Sequence, residues 1–183
     1  MMAAFRCTAK LLKAMKAVPV SDPQLPRNRL GEWTANLVRV SRIQLVIAVS
    51  EPTRFGVVLD AAPYVLMPER FQQMLFHALQ YIGIPADAAV GEAEAMWPLE
   101  LAASNSRSVL GTLNQFAEEV ASAVYHGQAC SARELTQRLS GTLVLSPKDI
   151  GSPADRVRER FGLPPIDWQA RGQMQMPLGT LLH

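Results

Sequence analysis

Cysteine and histidine are scarce in this sequence, two and three residues in 183. Cys7 and Cys130 lack the spacing of a metal site and make no disulfide framework. Both are expected to be buried as small hydrophobes. His77, His126 and His183 stand singly, with no H-E-x-x-H. Glycine-rich phosphate loops of either common type are missing, as is G-x-S-x-G. No metal and no cofactor are therefore expected, and no catalytic constellation is visible. Long apolar runs are absent too. The longest, such as Ala61–Met67, reaches only about seven residues, too short to span a bilayer. Lys10, Lys13 and Lys16 interrupt the apolar residues near the start, so no secretory core forms, and the cytoplasm is the expected compartment.

Acid is missing from the first twenty-one residues, the first being Asp22. Charged residues make up 19% and hydrophobic ones 49%, which excludes wholesale disorder. The formal net charge of +2 hides a pattern. Residues 1–54 hold nine basic and three acidic side chains, residues 55–126 two and eight, and residues 127–183 seven and five. The basic third has two readings. It meets the acidic middle of its own chain or of a second copy, or it meets an anionic ligand or nucleic acid.

Periodicity predicts an α+β domain. Strands are expected at Ala4–Thr8, Trp33–Val40, Ile43–Val49, Phe55–Leu59 and Leu99–Ala103, with a further one at Thr142–Leu145. The short links between the second, third and fourth of these predict an antiparallel meander. Helices are expected over 9–17, 68–83, 85–96, 106–126 and 131–141, with a turn or two at 155–161. The predicted architecture is a mainly antiparallel sheet of four or five strands packed against two principal helices, 68–83 and 106–126. The domain spans residues 1–146. A proline-containing C-terminal arm, 147–183, carries Trp168, which is expected to dock on its own body or on a neighbouring subunit.

Two stretches are unusually polar for places that flank core elements. The first runs from Arg27 to Asn36 and includes Asn28, Arg29, Trp33 and Asn36. The second, Ser104–Asn114, enters a long helix directly from a strand. Helix N-termini present unpaired N–H groups and a positive dipole end, which suits anions. Asn105, Ser106, Arg107, Ser108 and Asn114 are therefore candidate anion ligands, with Asn28 or Arg29 alongside and Trp33 and Asn36 as further candidates from the first stretch. The competing reading is structural: Asn105 or Ser106 caps the helix, Arg107 pairs with Glu100 or Glu32, and the asparagines bond backbone inside the fold. The acid pairs Glu92/Glu94 and Glu118/Glu119 are spaced as solvated helix faces.

The same stretches carry a resemblance. Asn28-Arg29-Leu30-Gly31-Glu32-Trp33-Thr34-Ala35-Asn36-Leu37 is followed by Gln44-Leu45-Val46-Ile47. Later comes Ser106-Arg107-Ser108-Val109-Leu110-Gly111-Thr112-Leu113-Asn114-Gln115-Phe116, and the chain opens on Arg6-Cys7-Thr8-Ala9-Lys10-Leu11-Leu12. Over residues 5–126 the sequence resembles an uncharacterised bacterial family of unknown function. It departs from that pattern at Glu32, Thr34, Ser106 and Gln115, where relatives carry Asp, Tyr, Asn and Asp. The resemblance implies no mechanism. The leading expectation is a non-enzymatic module that binds an anionic partner, nucleic acid included. An enzyme on a small phosphorylated or carboxylated substrate, using Asn28, Arg29, Arg107 and Asn114, is the alternative. A homo-oligomer held by the Trp168 arm is the third.

Overall fold

The computed structural model of the chain describes residues 3–174. His183 and the rest of 175–183 lie outside them.

The chain opens on strand β1, Ala3–Cys7, which runs into helix α1, Ala9–Met15. The Thr8 hydroxyl caps α1 by accepting the Leu11 N–H at 3.4 Å. Strands β2, Trp33–Val40, and β3, Ile43–Ser50, form a hairpin whose tip is Ser41-Arg42. Ser41 adopts φ +54° there, which tightens the turn. Strand β4, Gly56–Asp60, completes the antiparallel meander by pairing Val57 with Ala48 and Leu59 with Val46.

The remainder of the sheet corrects the expectation of a mainly antiparallel arrangement. β1 lies beside β2 in parallel, with Phe5 opposite Trp33 and Cys7 opposite Ala35. Strand β5, Leu99–Ala103, joins the other side of β1, again in parallel, with Cys7 opposite Ala103. The sheet is mixed, in the order β4-β3-β2-β1-β5. The physical reason is the length of the connections. A crossover through a helix returns a strand to the sheet in the same direction, and α1 with the loop after it supplies one between β1 and β2. Thr142–Leu145 adds no strand; only Val144 bridges, to Gly151.

Helices cover both faces. Helix α2, Met67–Tyr81, helix α3, Ala86–Ala95, and α1 pack on the face that carries Phe5, Cys7, Trp33, Ala35 and Val57. Phe71 of α2 meets Phe5 and Trp33 edge-on, with ring centroids 4.9 and 5.1 Å apart. Helix α4, Arg107–Tyr125, and helix α5, Ala132–Ser140, cover the face of Leu45, Ile47, Val49 and Val58 through Val109, Leu113, Phe116, Leu135 and Leu139. Strand alternation thus sorts the apolar side chains into two cores. At the outer strand β4, the Thr136 hydroxyl of α5 accepts the Val58 N–H at 2.8 Å, so that buried donor is satisfied without another strand.

The segment after residue 146 docks on the same domain. Helix α6, Pro153–Arg160, buries Ala154 and Val157 completely in the α2 core. Helix α7, Trp168–Met174, begins on Trp168, whose ring lies 6.4 Å from that of Tyr81 at the end of α2. Arg171 stacks over the same tyrosine at 4.7 Å.

The cysteines differ from expectation. Cys7 is buried, and burial pushes its thiol up to about 12, so it stays protonated. Cys130 is exposed instead. Its N–H and thiol both donate to Glu134, at 2.6 and 3.2 Å, which holds the loop onto the start of α5. Among the described residues no helix is long and apolar enough to cross a membrane, and no cluster of metal-ligating side chains occurs.

β1 and β5 are adjacent and parallel, yet β1 leads to α1 on one face and β5 to α4 on the other. Their carboxyl ends therefore lead to opposite faces of the sheet, the kind of switch point at which open α/β sheets hold ligands, although here the Ser104 N–H still bonds the Cys7 carbonyl.

Candidate functional site

The first polar stretch folds around a carboxylate of its own chain. Gly31 turns the backbone with φ +66°, and a Cβ there would meet the Pro52 ring at 3.1 Å. The turn aims consecutive N–H groups at Glu92 of α3. Glu92 Oε2 accepts from the Arg29 N–H at 3.0 Å, and Oε1 accepts from the Leu30 N–H and from Asn28 Nδ2, both at 2.9 Å. Successive amides of this kind form a nest for an anion. Glu92 is 5% exposed. The Glu92 side chain is thus not on a solvated face, as its spacing from Glu94 implies. Its place on the stripe of Ala89, Ala93 and Met96, all buried, is the sequence signal that marks it.

The Arg29 side chain turns elsewhere. It donates to the Arg160 carbonyl at 2.9 Å and stacks over Phe161 at 5.0 Å. Glu32 takes Arg6 in a forked pair at 2.7 and 3.1 Å, and Arg6 also donates to the Ala103 carbonyl. Trp33 is fully buried in the α2 core, and its indole N–H has no partner among the described residues. Asn36 accepts from the Thr8 hydroxyl at 2.7 Å, tying the start of α1 to the middle of β2.

The loop between β3 and β4 links this stretch to the second one. The Ser50 hydroxyl donates to the Leu30 carbonyl at 2.7 Å, and Thr53 donates to Ser50 at 2.8 Å. The Glu51 N–H bonds the Glu32 carbonyl. Arg54 follows in the left-handed region, at φ +60°, and its guanidinium donates to the Ser108 hydroxyl at 2.9 Å. Three segments distant in sequence, 28–36, 50–54 and 104–112, are therefore joined by hydrogen bonds.

A family model described as a domain of unknown function, DUF6933, matches residues 4–156 and spans all three. The chain belongs to the DUF6933 family. No curated protein and no solved structure matches it.

In this DUF6933 chain the second stretch remains open to solvent. Ser106 caps α4 by accepting the Val109 N–H at 3.3 Å. Asn105, Arg107, Ser108 and Asn114 are exposed. Neither carboxylate expected for Arg107 reaches it: Glu32 holds Arg6, and Glu100 accepts the Gln24 N–H at 2.7 Å. Asn28 and Arg29 share no hydrogen-bond partner with Arg107 or Asn114. Arg54 is the residue that sequence reading passes over. It sits in a link between strands, with no periodicity to mark it.

Gly111 faces open space, since a Cβ there meets nothing within 4 Å. It makes no close contact with the sheet. Gly111→Ala is expected to raise stability by about 0.5–1 kcal/mol through helix propensity, read as a higher urea midpoint. A lower midpoint would show that the glycine is required by the fold.

Charge pairing departs from the internal neutralisation that the blocks of charge allow. Among the described residues the ion pairs are Arg6–Glu32, Arg138–Glu119 and Arg156–Glu159. None joins the basic third to the acidic middle.

Proposed function

We propose that this DUF6933 chain is a non-enzymatic module that binds a polyanion, the phosphate backbone of a nucleic acid, across the end of the sheet where β1 and β5 finish. The observation that carries this reading is a set of exposed cations without carboxylate partners at that end. Lys10 and Lys13 lie on α1 just after β1. Arg39 and Arg42 lie on the β2–β3 hairpin, which extends five residues beyond the point where Cys7 faces Ala35. All four are exposed, and none enters an ion pair among the described residues. Asp60, in register with Leu45, stands toward the same end, so the field there is positive but not unopposed. Backbone binding of this kind is strong at low salt and independent of sequence.

A labelled oligonucleotide titrated at 20 to 200 mM salt tests this. Each phosphate contact contributes about −0.9 to the slope of log K against log salt on duplex DNA, so three or four contacts give about −3. The variant K10A/K13A/R39A/R42A is expected to bind at least tenfold more weakly, with a flatter slope. Wild-type protein that leaves the oligonucleotide unshifted at the lowest salt would remove the proposal.

A further inference from the structure

Arg54 is 6% exposed. Its donors go to neutral oxygens, the Glu51 carbonyl and the Ser108 hydroxyl, and its Nε–H has no partner among the described residues. No carboxylate pairs with it, although buried guanidinium groups are normally paired. Burial accordingly lowers its pKa, and the charges of Glu51 and Asp149, which do not bond it, offset only part of that.

Its neighbour compounds the charge. The guanidinium reaches the first turn of α4, the positive end of a 19-residue helix dipole, and no acid stands in that turn. Ser106 takes the Val109 and Leu110 N–H groups through its hydroxyl and its carbonyl. The N–H groups of Arg107 and Ser108 are left without a protein partner among the described residues. One turn further on, on the same side of α4 as Ser108, the Thr112 hydroxyl is buried and also unpartnered. A buried cation thus donates directly to the positive end of α4 at Ser108, 2.9 Å away, with unused donors beside that contact. That arrangement is unfavourable when empty and favourable around an anion.

We infer that Arg54, Ser108 and the first turn of α4 form a site for a single oxyanion, phosphate or the terminal phosphate of a small monoester, with Arg107 closing it from the solvent side. This site is separate from the exposed cations that carry the nucleic-acid reading, and it stands whether or not nucleic acid binds. Burial of Arg54, though not of Ser108 and Arg107, gives it a different signature: a screened surface contact fades with salt, a contact to a buried cation less.

Inorganic phosphate titrated into the whole chain, followed by calorimetry and by the shift in Tm, tests the inference. Sodium chloride at matched ionic strength is the control. Wild type is expected to saturate with phosphate and to gain Tm above the control, with a half-saturation that changes less than threefold between 50 and 200 mM chloride. Arg54→Lys keeps the charge but not the fork and is expected to bind at least tenfold more weakly. Ser108→Ala, an exposed position that leaves the core intact, is expected to bind several-fold more weakly and guards against a folding defect at Arg54. K10A/K13A/R39A/R42A is expected to bind phosphate as wild type does. A phosphate response no larger than that of chloride overturns the inference, and so does unchanged binding in both Arg54→Lys and Ser108→Ala. Loss of binding in the quadruple variant alone would place the phosphate on the surface cations and also overturn it.

Discussion

Glu92→Ala is expected to destabilise the protein by about 3–4 kcal/mol, a large share of the roughly 5–15 kcal/mol that holds a domain together. Glu92 accepts two backbone N–H bonds and one amide bond from Asn28, Arg29 and Leu30. Bonds to a charged group are stronger than neutral ones, about 1.5–3 kcal/mol each. Removing the carboxylate also leaves the Leu30 N–H, buried with its residue, without an acceptor. The effect spreads, because the Leu30 carbonyl takes Ser50, and Ser50 takes Thr53. Glu92→Gln keeps one acceptor oxygen but turns an amide toward a donor, so an intermediate loss of about 2 kcal/mol is expected. Glu94→Ala, one turn face away and exposed, is expected to stay within about 0.5 kcal/mol of wild type. Urea unfolding of the three variants reads these values. A Glu92→Ala midpoint equal to that of Glu94→Ala would show that the turn holds its shape without the carboxylate.

Gly56→Ala is expected to cost about 2–3 kcal/mol from a single methyl group. Gly56 opens β4, and a Cβ built on it comes to 2.7 and 2.9 Å from two ring carbons of Phe116. Phe116 is fully buried in the α4 core, so its ring has little room to withdraw. The methyl must push α4 from the sheet or force the ring off its rotamer, and close-packed interiors resist both. Phe116→Leu in the same chain frees that space. The double variant is expected to be more stable than the sum of the two single losses by about 1 kcal/mol or more. Strict additivity in urea unfolding would refute the clash. Neither substitution touches Arg54 or Ser108, so a folded double variant is expected to bind phosphate normally.

Most element types were legible because each depends on local pattern. Trp33–Val40 and Leu99–Ala103 occupy the residues that alternation predicts, and Thr8, Ser106 and Ser131 each accept the N–H three residues on. The candidate site was legible in part. Ser106, Arg107 and Ser108 do open α4 toward solvent. The pairing of Arg107 with Asn28 and Arg29 was not legible, and the structure gives those two to Glu92, Arg160 and Phe161 instead. No spacing rule joins residues 29 and 92, since hydrogen bonds across the fold leave no period in the chain. Arg54 was hidden for the same reason. A lone arginine after Glu51-Pro52-Thr53 reads as a solvated turn residue until Ser108 is brought beside it.

The scarcity of cysteine, histidine and long apolar runs was settled by the sequence alone, and so were most of the elements, three helix N-caps and the meander of β2, β3 and β4, while the strand expected at Thr142–Leu145 and helix α7 were not. The legible features follow from local chemistry: side-chain period, capping oxygens and short links. Tertiary structure alone decided that β1 enters between β2 and β5 in parallel, that the sheet is mixed, and that Cys130 is exposed while Cys7 is buried. It alone decided that Glu92 fills the first polar turn and that Arg54 is buried against α4 without a carboxylate. Strand order, burial and charge compensation depend on which distant segments meet, and that is set by the packing of two cores on one sheet.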